Sequence, residues 1–230
     1  AALFNIDSTT GAITFKTSPD FESPQDAGGN NVYDVTVTAS DGTLSANKAV
    51  AITVTNVNEA PSVTSGGTAS FAENATGTVY TVSGTDADAG TTLTYSMSGT
   101  DAALFNIDST TGAVTFKTAP DFESPQDAGG NNVYDLTVTA SDGSLSASKA
   151  VAITVTNVNE APSLTSGGTA SFAENGAGTV YTVTGSDPDA GTTLTYSISG
   201  TDAALFNIDS TTGAITFKAS PDFESTQDVG

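Results

Sequence analysis

Hydrophobic and polar residues alternate along several short stretches of this chain, and the two longest stretches show the pattern most clearly. From Tyr134 to Ala140 every second residue is apolar, with acidic or threonine side chains between. Val151, Ile153 and Val155 repeat the pattern shortly afterwards. Because successive side chains of a β-strand point to opposite faces, this spacing predicts strands with one buried face.

Seven stretches that are rich in strand-forming residues, separated by turn residues, follow one another between residues 62 and 162. Their predicted bounds are 68–71, 78–83, 92–97, 104–107, 113–117, 132–141 and 149–156. No long stretch has the period of a helix. The pattern therefore predicts an all-β fold, a seven-stranded antiparallel β-sandwich of the Greek-key, immunoglobulin-like type.

An internal repeat sets the domain organisation. The sequence Ala-Ala-Leu-Phe-Asn-Ile-Asp-Ser-Thr-Thr-Gly-Ala begins at Ala1, Ala102 and Ala203, so the repeat length is 101 residues. Residues 1–61 match residues 102–162 closely. The five differences are Ile13/Val114, Ser18/Ala119, Val35/Leu136, Thr43/Ser144 and Asn47/Ser148. A unit of about 100 residues is large enough to bury its own core.

If each unit ends at the proline of its last hexapeptide, the chain holds three units. These are the C-terminal part of one repeat (1–61), a complete repeat (62–162) and the N-terminal part of a third (163–230). The chain then resembles a window from a longer array, cut out of register with the repeats. Because an incomplete sandwich exposes strand edges, we expect the end units to be disordered by themselves or completed by neighbouring copies of the chain.

The charge balance narrows the choice of partners. Acidic residues number 26 against five lysines, with no histidine, for a net charge of −21. Nucleic acid and anionic membrane surfaces are poor partners, since both require a cationic surface. A chain this acidic either tolerates self-repulsion or neutralises it with bound cations. The absence of cysteine excludes disulfides and zinc–thiolate sites but leaves the compartment open. No apolar run approaches the roughly 20 residues of a membrane span.

The acidic residues concentrate in loops, where each cluster has two interpretations. Asp86 and Asp88 flank one residue of a tight turn, a pattern that either offers two carboxylates to calcium or forms an ordinary solvated turn. Asp121 and Glu123 flank Phe122, whose ring is expected in the core. These acids could bind an ion or merely keep a strand edge soluble. The copies of the two clusters are Asp187 with Asp189, Asp20 with Glu22, and Asp222 with Glu224.

Several other acids are explained by local structure. Asp41 and Asp142 each precede a glycine between two strong strands, which is typical of a hairpin turn without a metal. Asp7 and its copies are interpreted as turn residues between strands. Glu73 ends a strand and carries no information by itself, and the polar loop 124–132 is assigned no role.

A connector joins successive units. The hexapeptide Asn-Val-Asn-Glu-Ala-Pro occurs at 56–61 and again at 157–162. Proline cannot pair in a central strand and keeps the preceding residue extended, so this segment is predicted to be an extended linker. Its two amides and one carboxylate supply side-chain oxygens. With carboxylates from the units on either side, these oxygens are predicted to hold calcium and stiffen the joint.

Taken together and in this order, the motifs resemble those of the cadherin repeat. Cadherin repeats carry a glutamate near the first strand, Asp-x-Asp, Phe-x-Ile-Asp-x-x-Thr-Gly, Asp-x-Glu, a hairpin aspartate and an Asn/Asp-rich linker that ends in proline. The matching residues here are Glu73, Asp86 and Asp88, Phe105 to Gly112, Asp121 and Glu123, Asp142, and Asn157 to Pro162. Each motif is weak alone, but six in the family's order are specific. The composition is similar to that of bacterial cadherin-like arrays in very large secreted proteins.

The resemblance implies a calcium site across each connector, with up to three ions. For connector 157–162 the implied ligands are Glu73, Asp121, Glu123, Asn157, Asn159, Glu160, Asp187 and Asp189. For connector 56–61 they are Asp20, Glu22, Asn56, Asn58, Glu59, Asp86, Asp88 and Asp142. The connector opens with asparagine where the family has aspartate and is one residue shorter than the animal pattern. Each change removes charge or an oxygen, so the choice between two and three ions stays open.

These inferences favour a mechanical function in an extracellular protein, secreted or at the cell surface. Calcium would turn a flexible string of domains into a stiff rod, a spacer or filament within an adhesin. The alternative is a carbohydrate-binding or homophilic adhesive module, which needs an exposed aromatic platform. The chain has no tryptophan, and Tyr80, Tyr95 and Tyr134 fit a core. Paired carboxylates could also cleave glycosidic bonds. Since the acids recur in every repeat as loop clusters, no catalytic residue is predicted.

Overall fold

The computed structural model describes residues 3–225, and almost all of their regular structure is β. The first part of the chain forms β1 (Phe4–Ile6), β2 (Ile13–Phe15), β3 (Val32–Ser40) and β4 (Ser45–Thr53). The middle part forms β5 (Ser62–Val63), β6 (Thr68–Ala72), β7 (Thr78–Thr81), β8 (Gly84–Thr85), β9 (Thr94–Ser98), β10 (Phe105–Ile107), β11 (Ala113–Phe116), β12 (Val133–Ser141) and β13 (Ser146–Thr156). The last part forms β14 (Ser163–Leu164), β15 (Thr179–Thr182), β16 (Gly185–Ser186), β17 (Phe206–Ile208) and β18 (Ala214–Phe217). Short 3₁₀ helices lie at Ala102–Leu104 and Ala203–Leu205.

The middle part is a two-layer β-sandwich that contains all seven predicted strands. One sheet has the order β6-β13-β12-β9 and the other has the order β10-β11-β7. A short pair, β5 with β8, was not predicted from the sequence. The prediction of a purely antiparallel sandwich is wrong at one pairing, because β6 and β13 run parallel. Two parallel strands need a long connection between them. Here the strands and loops between β6 and β13 form that connection.

The core lies between the two sheets of this sandwich. Val138 and Ile153 are fully buried there, at 0% exposure, on the faces that the alternating pattern predicts. Phe105, Phe116 and Tyr134 form an aromatic cluster with ring centroids 4.2 to 5.8 Å apart. This cluster ties the β10–β11 hairpin to β12, and so joins the two sheets through edge-to-face contacts that add to the hydrophobic burial.

The turn between β10 and β11 shows why the repeated Asp-x-x-x-Gly sequence is structural. The Asp108 carboxylate accepts hydrogen bonds from the backbone amides of Thr110 and Thr111, at 2.9 and 2.8 Å. Gly112 has a φ of +72°, and a Cβ there would collide with the carbonyl oxygen of Val82. Only glycine fits such a position without strain. The hydrogen bonds also hold the pKa of Asp108 below its usual value.

The two ends of the chain contain incomplete versions of this sandwich. Strands β3 and β4 pair with each other, and β1 pairs with β2. In the last part, β15, β18 and β17 form the three-stranded sheet, but residues 169–173 and 195–199, the counterparts of β6 and β9, form no strand. Across residues 3–225, no helix is both long enough and apolar enough to span a membrane.

Candidate metal centres at the two connectors

The parallel pairing of β6 and β13 brings the end of the first strand beside the start of the connector 157–162. Thr156 lies opposite Ala72, so Glu73 emerges next to Val158. Glu73 is 2% exposed. One of its oxygens accepts a hydrogen bond from the amide of Val158 and the other accepts one from the amide of Phe122, each at 2.7 Å. A single buried carboxylate thus links the first strand, the Asp-Phe-Glu loop and the connector.

Three carboxylates meet at this position. Glu73, Glu123 and Glu160 each place one oxygen within 4.8 Å of the others. Oε2 of Glu123 and Oε2 of Glu160 are buried and have no hydrogen-bond donor among the described residues. A buried carboxylate oxygen without a donor or a cation is costly, so a positive charge placed here would stabilise the arrangement.

Asparagine side chains from the connector and from the segment just after β6 lie beside the three carboxylates. Asn157 donates a hydrogen bond to Oε1 of Glu123 at 3.0 Å, and Asn74 donates one to Oε1 of Glu160 at 2.6 Å. Asn159 donates to the backbone carbonyl of Glu160. Each of these amides also carries an oxygen, which can serve as a ligand.

The third repeat contributes the far side of this site. Asp189 accepts a hydrogen bond from the amide of Glu160 at 2.8 Å, and the amide of Asp189 donates one to Asp187 at 3.0 Å. The hydrogen bonds from the Glu160 amide and from the Asn157 side chain lower the pKa of Asp189. The connector is therefore attached to the Asp-x-Asp turn of the following repeat as well as to the preceding sandwich.

A related arrangement occurs at connector 56–61, where an aspartate of the following repeat joins two glutamates. Glu22, Glu59 and Asp88 form a second group with carboxylate oxygens within 4.8 Å of one another. Asp88 accepts hydrogen bonds from the Asn56 side chain at 2.6 Å and from the Glu59 amide at 3.0 Å. Oδ2 of Asp86 is buried without a donor among the described residues.

The hairpin aspartate of the middle repeat also reaches this connector. Asp142 accepts hydrogen bonds from the Ser144 and Leu145 amides of its own turn and, through its second oxygen, one of 2.7 Å from the Asn58 side chain. The contact with Asn58 is the main cause that lowers the pKa of Asp142. Its copy Asp41 contacts only its own turn in the hydrogen bonds observed, chiefly Leu44 and Thr43, which lower its pKa to about 2. Asp142 thus has both the turn role and a contact with the joint.

At each connector the pKa of one glutamate is raised, by burial and by the neighbouring negative charges. Desolvation, followed by the charges of Glu73 and Glu160, raises the pKa of Glu123. At the other connector, desolvation and the charges of Glu22 and Asp88 raise the pKa of Glu59. A raised carboxyl pKa means that the ionised form is disfavoured where it lies, and a nearby cation removes that penalty.

The structure brings most of the predicted residues to the two joints, although they play different parts. In each joint the Asp-x-Glu glutamate, the connector glutamate and the Asp-x-Asp aspartates lie together. Asp20 and Asp121 turn one oxygen back to the amides of their own loops, which orients Glu22 and Glu123. Asn58 contacts Asp142, whereas Asn159 contacts only the backbone of Glu160 in the hydrogen bonds observed.

Two sets of residues at the site were missed by sequence reasoning. Asn74 follows Glu73 directly with a φ of 58°, a conformation that asparagine tolerates, and that backbone is what aims its amide at Glu160. The loop 124–132 was assigned no role. The buried Asp127 accepts hydrogen bonds from the amides of Asn131 and Asn132, and the Asn132 side chain donates to the Phe122 carbonyl at 2.8 Å. The loop therefore supports the segment that carries Asp121 and Glu123. The sequence signal was the Asp and Asn-Asn at the two ends of the loop, repeated in both copies.

A third group, Glu174 with Asp222 and Glu224, occupies the corresponding place in the last part of the chain. All three residues are exposed, and among the described residues no connector segment lies beside them.

Comparisons with known proteins agree with this architecture. Residues 67–156 match the family model of the cadherin domain. A search of curated protein sequences finds no match.

Solved structures extend the likeness to nearly the whole chain. Human CDH23 EC21-23 superimposes with a TM-score of 0.67 at 22% identity, covering 96% of this chain and 73% of that one. Mouse cadherin-23 EC22-24 gives a TM-score of 0.63 at 26% identity, with 98% and 74% coverage. The cis-dimer structure of protocadherin gammaB7 EC3-6 gives 0.63 at 23% identity, with 97% and 60% coverage. The middle repeat therefore matches the cadherin domain, and the fold of the chain is similar to that of tandem cadherin domains.

Proposed function

We propose that this chain is a calcium-stiffened structural segment of an extracellular adhesin or filament, in which calcium bridges successive β-sandwich repeats. The observation that carries the proposal is the meeting of Glu73, Glu123 and Glu160 within 4.8 Å, with two buried oxygens that have no donor among the described residues. These three residues come from two loops of one repeat and from the connector. The amide of Glu160 extends the contact to Asp189 of the next repeat.

The chemistry of the donor set fits calcium. All the candidate ligands are carboxylate or amide oxygens, the hard donors that calcium prefers, and the chain has neither histidine nor cysteine. Calcium binds oxygens at roughly 2.3–2.6 Å, so two oxygens on one ion lie no more than about 5 Å apart. The carboxylate groups at both connectors meet that limit. The residues that would hold the ions are the sixteen implied by the cadherin resemblance, eight at each connector.

The chain's own residues define the mechanical consequence. Glu73 and Glu123 belong to the leading sandwich, Glu160 to the connector, and Asp189 to the trailing turn. Their like charges repel one another, which favours an open and flexible joint. A bound calcium ion would supply the positive charge that lets these carboxylates lie together. Because the ligands come from three segments, holding them together restrains the angle between successive repeats.

We propose that the protein is extracellular, either secreted or held at the cell surface. Calcium sites of extracellular modules have dissociation constants of about 10⁻⁴–10⁻³ M. Such sites fill at the calcium concentrations of body fluids or seawater but stay empty at the much lower concentration of the cytosol. A bacterial origin in a large adhesin is part of the same proposal, supported by the composition and by the connector sequence.

A calcium titration followed by small-angle X-ray scattering tests the proposal. We expect the maximum dimension and the rigidity of the chain to increase as calcium is added and to decrease with chelator. The variant Glu160→Gln should need a higher calcium concentration for the same change. Asp135→Asn is the matched control, because it removes one negative charge from an exposed position on β12. A scattering profile that is identical in calcium and in chelator would show that the joints are not stiffened by calcium.

A further inference from the structure

The connector 56–61 holds the Asp-x-Asp turn of the following repeat with two N–H donors. The Asn56 side chain donates to Oδ1 of Asp88 at 2.6 Å. The backbone amide of Glu59 donates to Oδ2 of the same carboxylate at 3.0 Å. Both oxygens of Asp88 are therefore bonded to the connector, one through a side chain and one through the backbone.

The connector 157–162 holds its following repeat with the same two donors. The Glu160 amide donates to Oδ2 of Asp189 at 2.8 Å, and the Asn157 side chain also bonds to this carboxylate. In addition, Asn157 donates to Oε1 of Glu123 in the preceding sandwich at 3.0 Å. One asparagine amide thus contacts an acid on each side of the joint.

These donors are all neutral. A primary amide has two N–H groups, so a single asparagine can donate to two carboxylates at once. Hydrogen bonds to an ionised acceptor are also about twice as strong as those between neutral groups. Lys117 and Lys149 of the middle repeat donate instead to backbone carbonyls, at 2.7 and 2.6 Å. The contact between connector and turn therefore needs no cation.

We propose that the paired donors of each connector form a latch that works without calcium, and that Asn56 and Asn157 are the positioning residues that keep successive repeats in line when calcium is scarce. Since the latch acts in the joint that calcium stiffens, it rests on the proposed function. The latch keeps the trailing turn at the connector, so calcium completes a partly assembled site and removes its remaining motion. An asparagine adds no negative charge, so the joint binds calcium less tightly than a joint with aspartate at that position.

The variant Asn157→Asp tests the latch, because it keeps the size of the side chain but replaces its N–H donors with a negative charge. In chelator, the Glu160 amide should exchange with solvent about 10- to 100-fold faster, since the aspartate that it contacts loses its second donor. In calcium, the added carboxylate should lower the calcium concentration at half-saturation of this joint at least about threefold. Residue-resolved hydrogen exchange, followed by NMR across a calcium titration of the whole chain, measures both effects.

Two further variants separate the latch from the added charge. Asn157→Ala removes the donors alone, so it should accelerate exchange of the Glu160 amide in chelator without any gain in calcium affinity. Asn106→Asp adds the same charge at an exposed position on β10 and should change neither quantity. The Val155 amide, which donates to the Asn132 carbonyl at 2.9 Å just before the connector, is the internal reference and should keep its exchange rate in all variants.

The first connector offers an independent repeat of the test. In chelator, Asn56→Asp should accelerate exchange of the Glu59 amide, which bonds to Asp88, and leave the Glu160 amide unchanged. Each latch would then be shown to act within its own joint.

Unchanged exchange of the Glu160 amide in Asn157→Ala would overturn the latch. Equal acceleration at Val155 would also overturn it, because the end of the sandwich would then be loosening as a whole. The measurements in chelator test the latch by itself. A wild-type chain whose exchange at Glu160 does not respond to calcium would instead contradict the proposed function, so the two failures are distinguishable.

Discussion

Residues 1–61 and 102–162 have nearly the same sequence, yet they differ sharply in burial. Val138 and Ile153 are fully buried, whereas their copies Val37 and Ile52 are half-exposed. In the middle repeat the hairpin has strand partners on both edges and a second sheet across its inner face. In the first part of the chain, the described residues give the hairpin no strand partner on either edge, and across its inner face only β1 and β2 contact it, through Phe4 and Phe15 against Tyr33.

The comparison shows which features the local sequence determines and which depend on contacts with distant parts of the chain. The β3–β4 and β12–β13 hairpins have the same register, and the aromatic contacts of Tyr33 match those of Tyr134. Strand β13 extends to Thr156, whereas β4 ends at Thr53, two residues before the corresponding position. The two extra residues of β13, Val155 and Thr156, pair with Phe71 and Ala72 of β6. A neighbouring strand therefore decides whether the same sequence becomes regular structure.

The largest effect is expected from truncating the same isoleucine in the two copies. Ile153→Ala removes a fully buried side chain from the centre of the sandwich and should lower the free energy of unfolding of the middle repeat by about 2–5 kcal/mol. Ile52→Ala removes a half-exposed side chain and should cost less than about 1 kcal/mol. Urea denaturation measures both. Equal losses in the two variants would contradict the comparison.

The second prediction compares two copies of the Asp-x-Glu glutamate. Glu123→Gln removes a carboxylate from a cluster that the connector completes, and should weaken calcium binding at that joint by about 10- to 100-fold. Glu224→Gln alters the cluster that has no connector beside it among the described residues, and should change the total binding isotherm little. Isothermal titration calorimetry distinguishes the two. Similar losses would mean that the connector contributes nothing to affinity.

The third prediction concerns the buried asparagine that supports the Asp-Phe-Glu segment. Asn132→Ala removes the hydrogen bond to the Phe122 carbonyl. It also places alanine at a φ of 62°, which alanine tolerates less well than asparagine. The two effects together should lower the free energy of unfolding by about 1–3 kcal/mol. Asn132→Gly loses the same hydrogen bond without the backbone strain and should be the milder change. Thermal unfolding in chelator and in calcium measures both. If the glycine variant is the worse of the two, backbone strain is not part of the cost.

The smallest effect is a dependence on pH with opposite signs in chelator and in calcium. Because the pKa values of Glu59 and Glu123 are raised above the ordinary value of 4.5, protonation of these groups favours the folded, closed joint. In chelator, the free energy of unfolding should therefore increase as the pH falls from neutral toward 4.5, because Glu59 and Glu123 take up protons more readily in the folded joint. In calcium it should decrease, since protons compete for the ligands. Melting temperatures at matched ionic strength measure both trends, and the same sign in both conditions would contradict the calcium sites.

Much of the fold could be predicted because its determinants are local and periodic. The alternation from Tyr134 to Ala140 identified a strand with its inner face. The Asp108–Gly112 turn was identified as structural, as its hydrogen bonds show. The parallel pairing of β6 and β13 could not be predicted, since two strands from opposite ends of the repeat carry no local signal of their direction.

The candidate site was predictable only in part, for a similar reason. The family motifs selected Glu73, Glu123 and Glu160, which the fold brings together, but the sequence ascribed nothing to Asn74 or Asn132. Their roles depend on a left-handed backbone that aims a side chain at a distant partner, and no sequence spacing encodes that direction.

The sequence by itself determined the hairpins, the turns, the repeat and the excess of acidic residues, because these depend on neighbours within a few positions along the chain. The tertiary structure alone decided which copy of a valine is buried and which carboxylates share a site. Burial and charge crowding are properties of surfaces that meet in space. Two nearly identical segments of this chain therefore differ in both.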